Sequence, residues 1–149
     1  MRVKEGRLLE RKKGIVKDYM DIGFNWQSVI RIKNFKDLLI DNKYHRTHIR
    51  PYNSKMTIGY IDRIMDNLVK RRNINWGCAF LEQDDYLNNH LHIAWKCDYE
   101  LTRKQLSRSL KTRERYIREI MPISDEKMAL EYFTKRLYGR GTYNNLYYE

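Results

Sequence analysis

Asn75-Trp-Gly-Cys-Ala-Phe-Leu-Glu82 and His90-Leu-His-Ile-Ala-Trp-Lys-Cys97 are two runs rich in apolar residues, separated by the polar stretch Gln83-Asp-Asp-Tyr-Leu-Asn-Asn89. Their length and flanks read as two strands joined in a hairpin. Side chains alternate across a strand, so His90 and His92 share one face while Leu91, Ile93 and Trp95 share the other. With the turn centred near Tyr86, Glu82 falls opposite His90. Gly77, Ala79 and Leu81 then join the Leu91 face, where helices would pack. The same parity puts Cys78 and Cys97 on opposite faces, which argues against a disulfide between them.

Outward from the hairpin, Trp26-Gln-Ser-Val-Ile-Arg-Ile-Lys33 alternates apolar and polar residues and reads as a first strand. Residues 42–55 carry Pro51, Asn53 and Ser54 and read as a loop. Ile58, Ile61, Ile64, Met65, Leu68 and Val69 recur at helical spacing, with Asp62, Arg63, Asp66 and Lys70 on the other side. Thr102-Arg-Lys-Gln105 has the form of a capping box, and Leu101 with Leu106 forms a hydrophobic staple. They start a helix whose basic face holds Lys104, Arg108, Lys111 and Arg115. A fourth strand is expected within Tyr116–Ile123. Ser124 is placed to cap a last helix with Asp125 and Glu126 in its first turn, running to Gly139. Residues 1–20 are basic and weakly amphipathic, a helix or an arm. The order strand, helix, hairpin, helix, strand, helix predicts an α+β domain. Its expected core is a ferredoxin-like or RRM-like antiparallel sheet with helices packed on it.

The chain of 149 residues sits within the single-domain range, so residues 1–149 are expected to form one domain. Apolar residues at 42 % and aromatics at 13 % exceed what disordered chains carry, and seven Gly with two Pro exclude a linker protein. No apolar run approaches the roughly 18 residues a membrane helix needs. Two cysteines without metal-site spacing fit a reducing, cytoplasmic setting. The net charge is +11, and it is unevenly spread: +7 over residues 1–50, −1 over 51–100 and +5 over 101–149. Basic flanks around a centre bearing carboxylates and histidines suit a polyanion with a metal ion between.

Two imidazoles and one carboxylate on a common face make a mixed nitrogen and oxygen donor set, matched to Mg²⁺ or Mn²⁺, or to Zn²⁺ on ligand type alone. Beside a basic surface such an ion serves as a Lewis acid for phosphate oxygens. A rival pair, His45 and His48, stands among Arg46 and Arg50 in a loop and suits phosphate contact better. In the last helix Tyr132 and Lys135 lie three residues apart on one face, separate from the apolar stripe of Ala129, Leu130, Phe133 and Leu137. A phenol is protonated at neutral pH, and a nearby ammonium or divalent cation favours the phenolate, a known covalent nucleophile. Tyr52 and Lys55 repeat the spacing, but in a loop after Pro51.

Glu82, His90-Leu91-His92 and Tyr132-Phe-Thr-Lys135, in this order, resemble the HUH endonuclease superfamily. The likeness is strongest to single-tyrosine rolling-circle replication initiators and spans about residues 24–139. The resemblance implies that Glu82, His90 and His92 bind Mg²⁺ or Mn²⁺. It implies that Tyr132 attacks a single-stranded DNA phosphate, leaving a 3′-OH and a 5′-phosphotyrosine, with Lys135 orienting or polarising the reacting groups. The expected partner is single-stranded DNA at an origin hairpin or nick site, bound through Arg46, His48, Arg50, Lys104, Arg108 and Lys111. The first family motif is echoed only loosely in Phe24-Asn-Trp-Gln-Ser-Val-Ile. No Walker sequence occurs, so the expectation is a nuclease domain alone, or one that recruits a host helicase or polymerase. Two alternatives stand beside this reading. One is a single-strand transposase of the same superfamily, which usually carries Gln where Arg136 stands; the other is a basic nucleic-acid-binding protein without catalysis.

Overall fold

The computed structural model describes residues 2–32, 55–83, 89–135 and 143–148. In chain order it contains α1 (Arg2–Tyr19), β1 (Trp26–Ile32), α2 (Lys55–Arg72), β2 (Trp76–Gln83), β3 (Asn89–Lys96), α3 (Arg103–Leu110), β4 (Met121–Pro122), α4 (Glu126–Phe133) and β5 (Tyr143–Tyr148). The protein is a mixed α+β structure. Its one sheet has five strands in the order β4-β1-β3-β2-β5, and every neighbouring pair is antiparallel. The hairpin register pairs Glu82 with His90, Phe80 with His92 and Leu81 with Leu91, as the alternation requires.

That register sorts the core into two layers. On one face Ile30, Ala79, Leu81, Leu91, Ile93 and Trp95 pack under α2 and α3, which contribute Ile61, Met65, Leu68, Leu106 and Leu110. On the other, Cys78, Phe80 and Ala94 pack under α1 and α4 through Val16, Tyr19, Leu130 and Phe133. Cys78 and Cys97 fall in separate clusters. Gly77 lies where a Cβ would come within 3.3 Å of the Met65 side-chain end, so a larger residue there would require Met65 to give by a few tenths of an ångström. The His face is thus partly roofed by helices, whereas sequence alternation alone leaves it open.

Local chemistry sets the ends of the elements. The Gln105 amide donates to Thr102 Oγ1 at 3.1 Å and the Thr102 amide to Gln105 Oε1 at 2.9 Å, completing the expected box at the start of α3. The helix stops at Leu110, short of Arg115: Lys111 takes a left-handed conformation, and the Thr112 amide donates back to the Ser107 carbonyl. The fourth strand is shorter than expected, Met121–Pro122 with one isolated bridge between Ile117 and Ile30. The cap of α4 is Asp125, which accepts from the Met128 amide, so Ser124 lies one residue outside. Instead of continuing toward Gly139, α4 ends at Phe133, because Thr134 Oγ1 bonds back to the carbonyls of Leu130 and Glu131. Leu137, expected in the apolar stripe, lies outside the described residues. The N-terminal segment, read as a helix or an arm, is a helix with Val16 and Tyr19 in the core. β5 has no counterpart among the expected strands. It pairs with β2, and its Tyr143 and Tyr147 hydroxyls both donate to Asp62 Oδ1 on α2 at 2.8 and 2.6 Å.

One carboxylate ties α4 to the rest. Between α1 and β1 the chain passes Asp21 and Gly23 at positive φ, which turns the amides of Asp21, Gly23 and Phe24 toward Glu126 at 2.6, 2.8 and 2.5 Å. Phe24 is buried, so its amide has no ready substitute acceptor. Hydrogen bonds to a charged group contribute about 1.5–3 kcal/mol each, less where water can replace the partner. Glu126→Ala is therefore expected to lower stability by roughly 2 kcal/mol in urea unfolding, with Glu126→Gln in between. An unchanged midpoint in Glu126→Ala would refute this anchoring role.

Candidate active site

Three elements bring the expected reactive residues together on the second sheet face. β2 supplies Glu82, β3 supplies His92, and α4 with the turn after it supplies Tyr132 and Lys135. His92 Nε2 lies 3.2 Å from Glu82 Oε2, and Lys135 Nζ approaches the same oxygen at 3.0 Å. Glu82 and His92 are buried, so this oxygen meets both partners away from bulk water. Burial alone would raise the Glu82 carboxyl. The hydrogen bonds and charges of His92 and Lys135 outweigh it and hold the group well below the usual carboxylate range, at about 2. Glu82 is accordingly an anion at every pH above that value. The stability its partners confer is full above the ordinary carboxylate range and is lost as pH falls toward 2.

Tyr132 stands over this pair. Its ring meets the His92 ring edge-on, with centroids 5.7 Å apart and planes at 88°. Lys135 Nζ lies 3.6 Å from the Tyr132 ring centroid, over its face. The Lys135 ammonium thus bridges the phenol and the Glu82 carboxylate, although it follows α4 instead of lying within it. Phe133, next along the helix, points into the core against Phe80 and His92, which fixes the rotation of α4 and leaves Tyr132 outward, 56 % exposed. His90 is half-buried and faces Glu82 across the hairpin.

Beside Tyr132 a cleft of about 960 Å³ opens between β1 and the β4–α4 segment. Gln27 and Val29 come from β1, on the side of the strand that also faces His92; Met121 and Met128 form the opposite lip. The sequence reading did not single out these residues. Two signals for them were present: the parity of β1, and the position of Met128 one helical turn before Tyr132.

The basic residues expected at a nucleic-acid surface divide. Lys104, Arg108 and Lys111 are exposed on α3 and its cap, over the sheet face opposite Tyr132. Arg46, His48 and Arg50, with His45 and Tyr52, lie outside the described residues. No described helix is long and apolar enough to cross a membrane.

Among the described residues no group of three or more His, Cys, Asp or Glu side chains is arranged to hold a metal ion. The donor types at the Glu82 cluster, imidazole nitrogen and carboxylate oxygen, do suit a divalent cation. In this arrangement Glu82 Oε2 accepts from His92 and Lys135, so an ion there would take the place of one of these contacts. Comparison with protein-family models, curated proteins and solved structures finds no match to this chain.

Proposed function

We propose that the protein nicks and rejoins single-stranded DNA through a covalent tyrosine intermediate, as initiators of rolling-circle replication do. The observation that carries the reading is the meeting of Tyr132, Lys135, Glu82 and His92 from three separate elements, with Tyr132 and His92 lining an open cleft. The topology agrees with it. β1, α2, β2, β3, α3 and β4 follow one another as βαββαβ with the order β4-β1-β3-β2, the arrangement of a split βαβ, ferredoxin-like sheet. β5 and α1 extend that core.

In the proposed reaction the Tyr132 hydroxyl oxygen attacks the phosphorus of one phosphodiester. A Tyr–O–P bond forms to the 5′ side, the bond from phosphorus to the 3′ oxygen breaks, and the 3′ oxygen takes up a proton as Tyr132 loses one. Attack by an incoming 3′-OH reverses these steps and transfers the strand. The Lys135 ammonium, held over the face of the Tyr132 ring, would face the phosphate charge that develops in the attack. Glu82, buried and anionic, orients Lys135 and the His92 ring. With His90 and His92 it forms the set that would hold Mg²⁺ or Mn²⁺. Such an ion supplies neutralisation of the non-bridging phosphate oxygens.

The test is direct. A labelled single-stranded oligonucleotide library is incubated with protein and Mn²⁺ and resolved on a denaturing protein gel. Label migrating with the protein is the expected result. Binding without any covalent label would overturn the catalytic reading in favour of a non-catalytic nucleic-acid-binding protein.

A further inference from the structure

The cleft beside Tyr132 has a charge pattern that does not suit a phosphate. Its ionic lining residues are Arg103, Arg118, Glu119 and Asp125, two of each sign. Arg103 spends its guanidinium on the carbonyls of Glu114 and Ile117, and Asp125 accepts from the Met128 amide. The two signs balance, so the lining carries no strong net charge of either kind. Apolar surface comes from Val29 on β1 and from Met121, Pro122 and Met128 on the β4–α4 segment, with the Tyr132 ring also in the lining. Met121 and Met128 are 55 % and 67 % exposed, unusual for side chains of this size unless something covers them. The uncharged polar lining is Gln27, Ser28, Ser124 and His92; Ser28 is taken up by the Arg118 carbonyl, and the buried His92 Nδ1 has no hydrogen-bond partner among the described residues. A flat, neutral group with a hydrogen-bonding edge meets these conditions. Thioether sulfurs and a phenol ring are favourable faces for it, and the volume lies at the upper end of the ~300–1,000 Å³ range of small-ligand sites.

We infer that this cleft seats one or more unstacked bases of the DNA strand whose phosphate Tyr132 attacks. The inference rests on the nicking reading for the identity of the strand. Bases enter between the methionines and Tyr132, while the charged backbone stays outside, near Lys135. Affinity then depends on bases as well as on phosphates, and the base-dependent part belongs to the methionine lip.

Fluorescence anisotropy with two fifteen-residue strands separates these contributions. One is oligothymidylate; the other has the same phosphates with an abasic sugar at every position. Wild type is expected to prefer the strand with bases by about tenfold or more, since stacking contributes ~1–3 kcal/mol per base. In Met121→Ala/Met128→Ala that preference should shrink to within about twofold, with affinity for the abasic strand unchanged. Both methionines are exposed, so the fold should survive, and circular dichroism checks it. Equal affinity of wild type for the two strands, or a full preference in the double variant, would overturn the inference. The measurement requires no cleavage, so a base preference without covalent adduct would reject the nicking reading and leave the base site standing.

Discussion

Tyr132→Phe should abolish covalent attachment to DNA, lowering adduct formation by at least about 10⁴-fold, the scale set by loss of a nucleophile. The change removes one oxygen from a ring that is 56 % exposed and leaves its edge contact with His92 and its face toward Lys135 in place. Stability and binding of single-stranded DNA should therefore match wild type. Lys135→Ala should slow the reaction by roughly 10²-fold without stopping it, because it removes one electrostatic partner and keeps the nucleophile. Mass spectrometry of a protease digest of the adduct should find the nucleotide on the peptide containing Tyr132. Attachment at Tyr52, whose spacing to Lys55 imitates that of Tyr132 to Lys135, would refute the assignment.

The histidine pair carries the second large effect. His90→Ala with His92→Ala should eliminate Mn²⁺-dependent cleavage and weaken Mn²⁺ binding, measured by calorimetry, beyond detection. Truncating His92 also empties space beside Phe133 and removes a donor to Glu82 Oε2, so some loss of stability accompanies it. His92→Gln, closer in volume, separates the two consequences: the fold is retained while Mn²⁺ affinity still falls. Mn²⁺ affinity equal to wild type in the folded double variant would remove Glu82, His90 and His92 as its ligands.

The hairpin was legible in the sequence because its period is two and both faces carry distinct chemistry. Once Glu82 is placed opposite His90, parity alone decides which residues join the buried layer. The start of α3 was legible for a similar reason, since Thr102 and Gln105 satisfy each other's backbone partners locally. The ends of α3 and α4 were not: one depends on Lys111 turning left-handed so that the Thr112 amide and carbonyl both meet Ser107, the other on the Thr134 hydroxyl bonding back to Leu130. β5 escaped notice because Asn144 and Asn145 interrupt its apolar character. Its stability comes from an edge of β2 some sixty residues earlier and from Asp62. At the site, Tyr132 and Lys135 were read as sharing one helix, whereas the ammonium reaches back from the following turn. The cover of α1 over the His face was not legible, because Cys78, Phe80 and Ala94 look like strand filler until both faces are known to be covered.

The position of β3 gives the two halves of the site unequal footing. β3 is third in a row of five strands and hydrogen-bonded along both edges, so His92 rides on the part of the sheet that opens last. Tyr132 rides on a helix of eight residues, too short to hold its shape without docking. Its docking comes from Leu130, Phe133 and the Glu126 carboxylate. An anvil and a hinged arm would be built this way. Under the proposed reaction the histidine side would hold its place, and α4, docked through side chains and not through the sheet ladder, would be the part able to shift with Tyr132.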